Sequence, residues 1–176
     1  MEAAFFEQMA MPLFDQLYNF AHWLAGNPAD AEDLVQETFA KALKGFHSFE
    51  AGTNMRAWMF SILRNTFLTS KSGLAVRKSF SLEESEAENL ASREETPEIL
   101  LLRQEDQGVL MEALTALPVL YREAVLLCDV EEMSYKEIAE VLSVPVGTVM
   151  SRLSRARAAL RKQLGGRVRK GTIHVV

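Results

Sequence analysis

The chain has 176 residues, 48% of them apolar, which is enough for one domain or two small ones with real cores. Its one cysteine, Cys128, excludes an intramolecular disulfide and a thiolate cluster for zinc, and no apolar run approaches the roughly 18 residues of a membrane span. The net charge of −5 would count against nucleic acid if it were evenly spread, but residues 151–170 hold eight Lys or Arg and no Asp or Glu. The expectation is a soluble, cytoplasmic protein with no membrane insertion, no implied cofactor, a nucleic-acid surface at one end and another partner elsewhere.

Three helical stretches fill the first 70 residues. The first, over about residues 14–24, is dense in Leu, Phe, Tyr and Trp and stops at Gly26-Asn27-Pro28, a strong turn signal. The second begins near Asp30. Leu34, Val35, Thr38, Phe39, Ala42, Leu43 and Phe46 recur at helical spacing, with Asp33, Gln36, Glu37, Lys41 and Lys44 on the polar face between them. A loop over residues 48–54 leads to a third helix carrying Trp58, Met59, Ile62, Leu63 and Phe67, and Arg64 and Asn65 read as surface positions on it. Three such helices enclose one small core.

Between about residues 70 and 98 the chain turns acidic, with seven Glu and several Ser, the composition of a solvated tether. A second helical domain follows, with helices expected over 99–114, 119–130, 135–142 and 146–164. Cys128, in the apolar run Ala124-Val125-Leu126-Leu127-Cys128, reads as a small buried side chain. The fold class is all-α: two small helical domains, residues 1–72 and 97–165, with a linker at 73–96 and a basic tail at 166–176.

Residues 134–164 read as a helix-turn-helix. Ser134-Tyr135-Lys136-Glu137 matches a capping box, and Ile138, Ala139, Val141 and Leu142 form an inward stripe. Ser143-Val144-Pro145-Val146-Gly147 then forces a corner. On the last helix Val149, Leu153, Ala156, Leu160 and Leu164 share one sector, with Ser151, Ser154, Arg155, Ala158 and Lys162 opposite. Small residues ringed by cations suit entry into a major groove. Arg155, beside Ser151 and Ser154, is the candidate base reader, and Thr148, Arg152 and Arg157 are the candidate phosphate contacts. The bland alternative is a solvated cationic helix end, since Lys and Arg favour C-terminal turns anyway. The capping box, corner and divided faces together weigh against it.

The run Gly147-Thr148-Val149-Met150-Ser151-Arg152-Leu153-Ser154-Arg155-Ala156-Arg157, with Leu117-Pro118 and the capping box upstream, resembles region 4 of the extracytoplasmic-function (ECF) sigma factors of bacterial RNA polymerase. Residues 30–42, Asp-Ala-Glu-Asp-Leu-Val-Gln-Glu-Thr-Phe-Ala-Lys-Ala, resemble their region 2.2, and Ala57-Trp58 with Arg64-Asn65 resembles regions 2.3 to 2.4. Two motifs in the right order are more specific than either alone.

The resemblance implies transcription initiation without catalysis, with core RNA polymerase and promoter DNA as partners and an anti-sigma factor as inhibitor. It implies that Asp30, Asp33, Leu34, Gln36, Glu37 and Phe39 dock on polymerase; charge pattern alone favours a solvated face there. It implies that Ser48, Asn54, Arg56, Trp58, Arg64 and Asn65 meet the minus-ten strand, although Trp58 reads equally well as core. Minus-35 DNA would meet Tyr135, Lys136, Thr148, Met150, Ser151, Arg152, Ser154, Arg155 and Arg157. Met150 stands where the family often has a cation, and the run after Asn65 lacks the Asp and Arg residues common there.

Rival readings are an operator-binding regulator and a helical partner-binding protein with an incidental basic helix. An enzyme is disfavoured, because His22, His47 and His174 lie in no metal-ligand or nucleophile-base spacing.

Overall fold

The computed structural model describes residues 1–71 and 104–165, with side chains of the second stretch from Gln107 onward. The expected linker, the tail and the start of the helix predicted from residue 99 lie outside the described residues.

The first bundle begins with a helix that sequence periodicity does not announce, α1 (Glu2–Ala10). It forms against a ready-made aromatic site: Phe6 is buried edge-on against Phe39 and Phe46, with ring centroids 6.3 and 5.3 Å apart. A short 3-10 turn with Pro12 joins it to α2 (Phe14–Ala25). The Gly26-Asn27-Pro28 signal is realised residue by residue. Gly26 takes φ +86° as a left-handed cap, Asn27 accepts the Asp30 amide at 2.9 Å, and Pro28 opens α3 (Pro28–Gly45). Asn54 caps α4 (Met55–Ser70) in the same way, accepting the Ala57 amide at 3.1 Å.

Phe20 and Phe60, both fully buried, meet at the centre of this bundle with centroids 5.2 Å apart. Leu43, expected on the apolar stripe of α3, is instead 47% exposed. The expected stripe is too wide: its seven positions exceed the sector that the neighbouring helices cover.

The second bundle comprises α5 (Gln104–Ala116), α6 (Val119–Val125), a wide π-type turn over Leu126–Val130, α7 (Tyr135–Leu142) and α8 (Val146–Leu164). The helix expected over 119–130 thus widens halfway, at the place where Cys128 and Asp129 project; Cys128 is half-buried rather than buried. The capping box forms as expected, with the Glu137 amide donating to Ser134 Oγ at 3.2 Å and the Ser134 amide to Glu137 Oε2 at 2.8 Å. Both α7 and α8 keep the bounds that patterning gives them. Among the described residues all regular structure is helical, and the buried apolar side chains of both bundles form one continuous cluster.

Candidate promoter and polymerase surfaces

The divided faces of α8 determine what it offers. Val149, Leu153, Ala156, Leu160 and Leu164 are buried, while Met150, Ala158, Arg161 and Lys162 are exposed. Ser151, Ser154, Arg155 and Thr148 are half-buried, and Tyr135 and Lys136 of α7 stand exposed beside them. Arg155 Nη1 lies 3.4 Å from the Tyr121 hydroxyl, which gives its long side chain a resting point beside the outer face.

The two flanking arginines are placed differently from Arg155. Arg157 is 9% exposed and donates twice to Asp129, at 3.2 and 2.7 Å, and its Nη2 lies 3.5 Å from Cys128 Sγ. Burial alone would lower the guanidinium pKa; the bonds to Asp129 outweigh it and raise it. Burial likewise pushes the Cys128 thiol up to about 11. Arg152 is 4% exposed and adds its positive charge to the surroundings of Glu123. In this packing both arginines brace the base of α8. The signal available in the sequence was the pair of acids, Glu123 and Asp129, set on either side of an apolar run.

On α3, Asp30, Asp33, Gln36 and Glu37 all face solvent, and Leu34 lies 6% exposed beneath them. Phe39 is half-buried, with Phe14 at 5.8 Å. Asp30, Asp33 and Glu37 rim a groove whose floor is Leu34 and Phe67. The Glu37–Lys41 pair at 2.8 Å joins two exposed side chains one turn apart, an arrangement worth only about 0.3–0.5 kcal/mol. Such a face yields its charges readily to a partner.

The six residues expected at minus-ten DNA divide. Ser48 and Asn65 are exposed, and Trp58 is half-buried at an aromatic corner with Phe46 and Phe49, centroids 6.4 and 5.1 Å away. Arg64, expected at the surface, is 8% exposed. Its Nε and Nη2 donate to Glu123 at 2.9 and 3.1 Å, and Nη1 lies 3.5 Å from the Leu142 carbonyl. Helical patterning marks a polar position but does not see a carboxylate 59 residues away on another bundle. Asn54 donates to Glu137 Oε1 at 3.0 Å. Arg56 bonds Gln16 at 2.9 Å and the Glu131 backbone carbonyl, with Glu131 Oε2 at 3.7 Å.

Glu123 has no exposed surface; burial pushes its carboxyl pKa up, and Arg64 pulls it back down. Glu131 is pushed up to about 7 by burial against the first bundle, with Arg56 and Asn19 opposing. A carboxyl whose pKa is raised in the packed state binds its proton more tightly there than in the unfolded chain. Its contribution is therefore complete below the ordinary carboxylate range and is lost as pH rises through about 7. Between about pH 5.5 and 8 the melting temperature of the native chain should fall relative to that of Glu131→Gln, whose side chain does not titrate. Parallel curves for the two proteins would refute this.

Against this geometry stand the family comparisons. The sigma-70 region 2 model matches residues 10–75 and the sigma-70 region 4 model matches residues 107–160, together more than half of the chain. The ECF RNA polymerase sigma factor EcfG of Rhodopseudomonas palustris is 36% identical over 161 residues, covering 85% of this chain and 86% of that protein.

The chain belongs to the ECF sigma factors.

Other relatives agree on the family. SigW of Bacillus subtilis is 30% identical over 156 residues, covering 85% of this chain and 83% of its own length. SigE of Mycolicibacterium smegmatis is 36% identical over 166 residues, but the chain spans only 64% of that protein. Among solved structures, the sigma factor RpoE of Bartonella quintana, bound to the anti-sigma factor NepR, superposes with a TM-score of 0.70 at 32% identity, covering 92% of this chain and 97% of its own. CnrH, bound to the cytosolic domain of CnrY, gives a TM-score of 0.66 at 26% identity. In this sigma factor, therefore, α2 to α4 belong to region 2 and α6 to α8 to region 4. Among the described residues no helix is long and apolar enough to cross a membrane, and no His, Cys, Asp or Glu group is arranged to hold a metal.

Proposed function

We propose that the chain binds core RNA polymerase in the cytoplasm and directs it to specific promoters, reading the minus-35 duplex and helping to melt the minus-ten element, with no catalytic step of its own. The observation that carries this reading is α8: a helix entered from a capped partner helix at a tight corner, with one face buried and short side chains beside Arg155 on the other. Arg155, Ser151 and Ser154 would meet base edges, and Tyr135, Lys136 and Thr148 phosphates. Met150, 40% exposed, would offer an apolar contact to a thymine methyl.

The solvent-facing Asp30, Asp33, Gln36 and Glu37, with the Leu34 floor below, would dock on polymerase. Ser48, Trp58 and Asn65 would receive unpaired bases, Trp58 by stacking. Anchorage through polymerase accounts for a net charge of −5 on a DNA-binding protein: most of the nonspecific attraction for DNA then comes from the larger enzyme. An anti-sigma factor is the proposed inhibitor, because the Bartonella quintana relative was solved bound to one.

Reversing two docking charges tests the assignment. Asp33→Lys with Glu37→Lys should weaken core-polymerase binding at least about tenfold, while duplex binding by the free chain does not fall, since the added positive charge favours it. Unaltered polymerase binding would remove α3 from the docking surface.

A further inference from the structure

The turn that precedes the helix-turn-helix is wider than an α-helix. The Glu131 amide reaches back five residues to the Leu126 carbonyl at 3.0 Å, where an α-helix closes on the fourth, and the Met133 amide bonds the Leu127 carbonyl at 3.0 Å. Single wide turns of this kind are rare and recur at functional sites. The side chains presented here, Cys128 and Asp129, meet α8 at one residue: Arg157 donates to both Asp129 oxygens at 3.2 and 2.7 Å, with its Nη2 3.5 Å from Cys128 Sγ. The Tyr135 side chain, at the start of α7, bonds Arg157 as well. One guanidinium thus ties the wide turn, the first residue of α7 and the middle of α8 together, two residues beyond Arg155. The two-pronged pair fixes direction as well as distance, and at 11 and 10% side-chain exposure water competes little for it.

Resting on the proposed role of Arg155 in minus-35 reading, we infer that Asp129 is a positioning residue for that reading: through Arg157 it sets the rotation of α8, and so the place where Arg155, Ser151 and Ser154 meet the duplex. Asp129 needs no contact with DNA for this, and Arg157 acts on the helix rather than on a phosphate. Side-chain tips lie about 5–6 Å from a helix axis, so a rotation of about 20° carries them about 2 Å sideways. Such a shift breaks a two-pronged contact to a base edge. Contacts to phosphates, which carry no sequence information, tolerate it better because long cationic side chains bend to follow them.

The test measures holoenzyme affinity for two duplexes, one carrying a minus-35 sequence selected from a randomised library and one with that sequence scrambled. The ratio of the two affinities is the readout, because partial unfolding lowers both by the same factor and leaves their ratio unchanged. Asp129→Asn, which keeps the shape and removes the charge, should lower the ratio at least about threefold through weaker binding of the selected duplex, with core-polymerase binding unchanged. Arg157→Lys keeps a cation for a phosphate but loses the two-pronged grip, and it should lower the ratio in the same way. The two changes together should cost no more than the larger alone, since both remove one pair. Arg155→Ala is the control. A ratio lowered by Arg155→Ala but unchanged in Asp129→Asn and Arg157→Lys would overturn the positioning role and leave Arg155 as the base reader. A ratio unchanged in all three would overturn the Arg155 assignment, and the inference with it.

Discussion

Arg122→Ala is expected to lower the free energy of unfolding by about 3–5 kcal/mol, the largest effect of any single side chain outside the apolar core. The guanidinium is 8% exposed and donates to the Leu114, Thr115 and Leu117 carbonyls at 2.8, 2.9 and 3.1 Å, and to the Leu24 carbonyl at 2.8 Å. The last carbonyls of a helix have no partner within it, and they carry the negative end of the helix dipole. Arg122 thus closes the ends of α5 and α2 at once. Truncation leaves several buried acceptors unsatisfied, each worth about 1–3 kcal/mol.

Arg122→Lys should recover less than half of the loss, because one ammonium on a flexible stem does not span four acceptors. Urea unfolding followed by circular dichroism checks both variants. A loss under about 1 kcal/mol for Arg122→Ala would mean that water satisfies those carbonyls.

The second large effect falls on DNA rather than on stability. Arg155→Ala should remove about 1–3 kcal/mol of discrimination between minus-35 sequences, with polymerase binding unchanged. Arg155 lies half-buried on the outer side of α8 beside Ser151 and Ser154, with its Nη1 3.4 Å from the Tyr121 hydroxyl. Arg157→Ala is expected to behave differently: it leaves Asp129 without its two bonds at the base of the helix and should act first on stability. Competition between two minus-35 duplexes, read with holoenzyme, separates the cases. Equal loss of sequence discrimination and polymerase binding in Arg155→Ala would contradict its role as a base reader.

What the sequence made legible was local. The bounds of α7 and α8, the capping box, the Gly26-Asn27-Pro28 break and the buried sector of α8 follow from residue spacings of one to four, which capping chemistry and the 3.6-residue period set directly. The face of α3 was readable for the same reason. The helix α1 was not, because its stability comes from Phe6 entering an aromatic site built by α3 and the turn after it.

The polar contacts between bundles were also invisible. Arg64 and Glu123, Arg56 and Glu131, and Asn54 and Glu137 are brought together by tertiary packing over at least 59 residues of chain, and a pattern within one helix carries no trace of its partner. A helical wheel sets Arg155 opposite the buried sector of α8 and Arg152 and Arg157 away from it, but it does not show that Arg157 pairs with Asp129 or that Arg152 is buried near Glu123.

The central claim is that one chain reads two promoter elements on behalf of polymerase. The most direct test is in vitro transcription by core polymerase with this chain over a library randomised at both elements. The account predicts selective initiation with separate minus-35 and minus-ten preferences, the first relaxed by Arg155→Ala and the second retained. Initiation indifferent to sequence, or none with a core enzyme that works with another sigma factor, would contradict it.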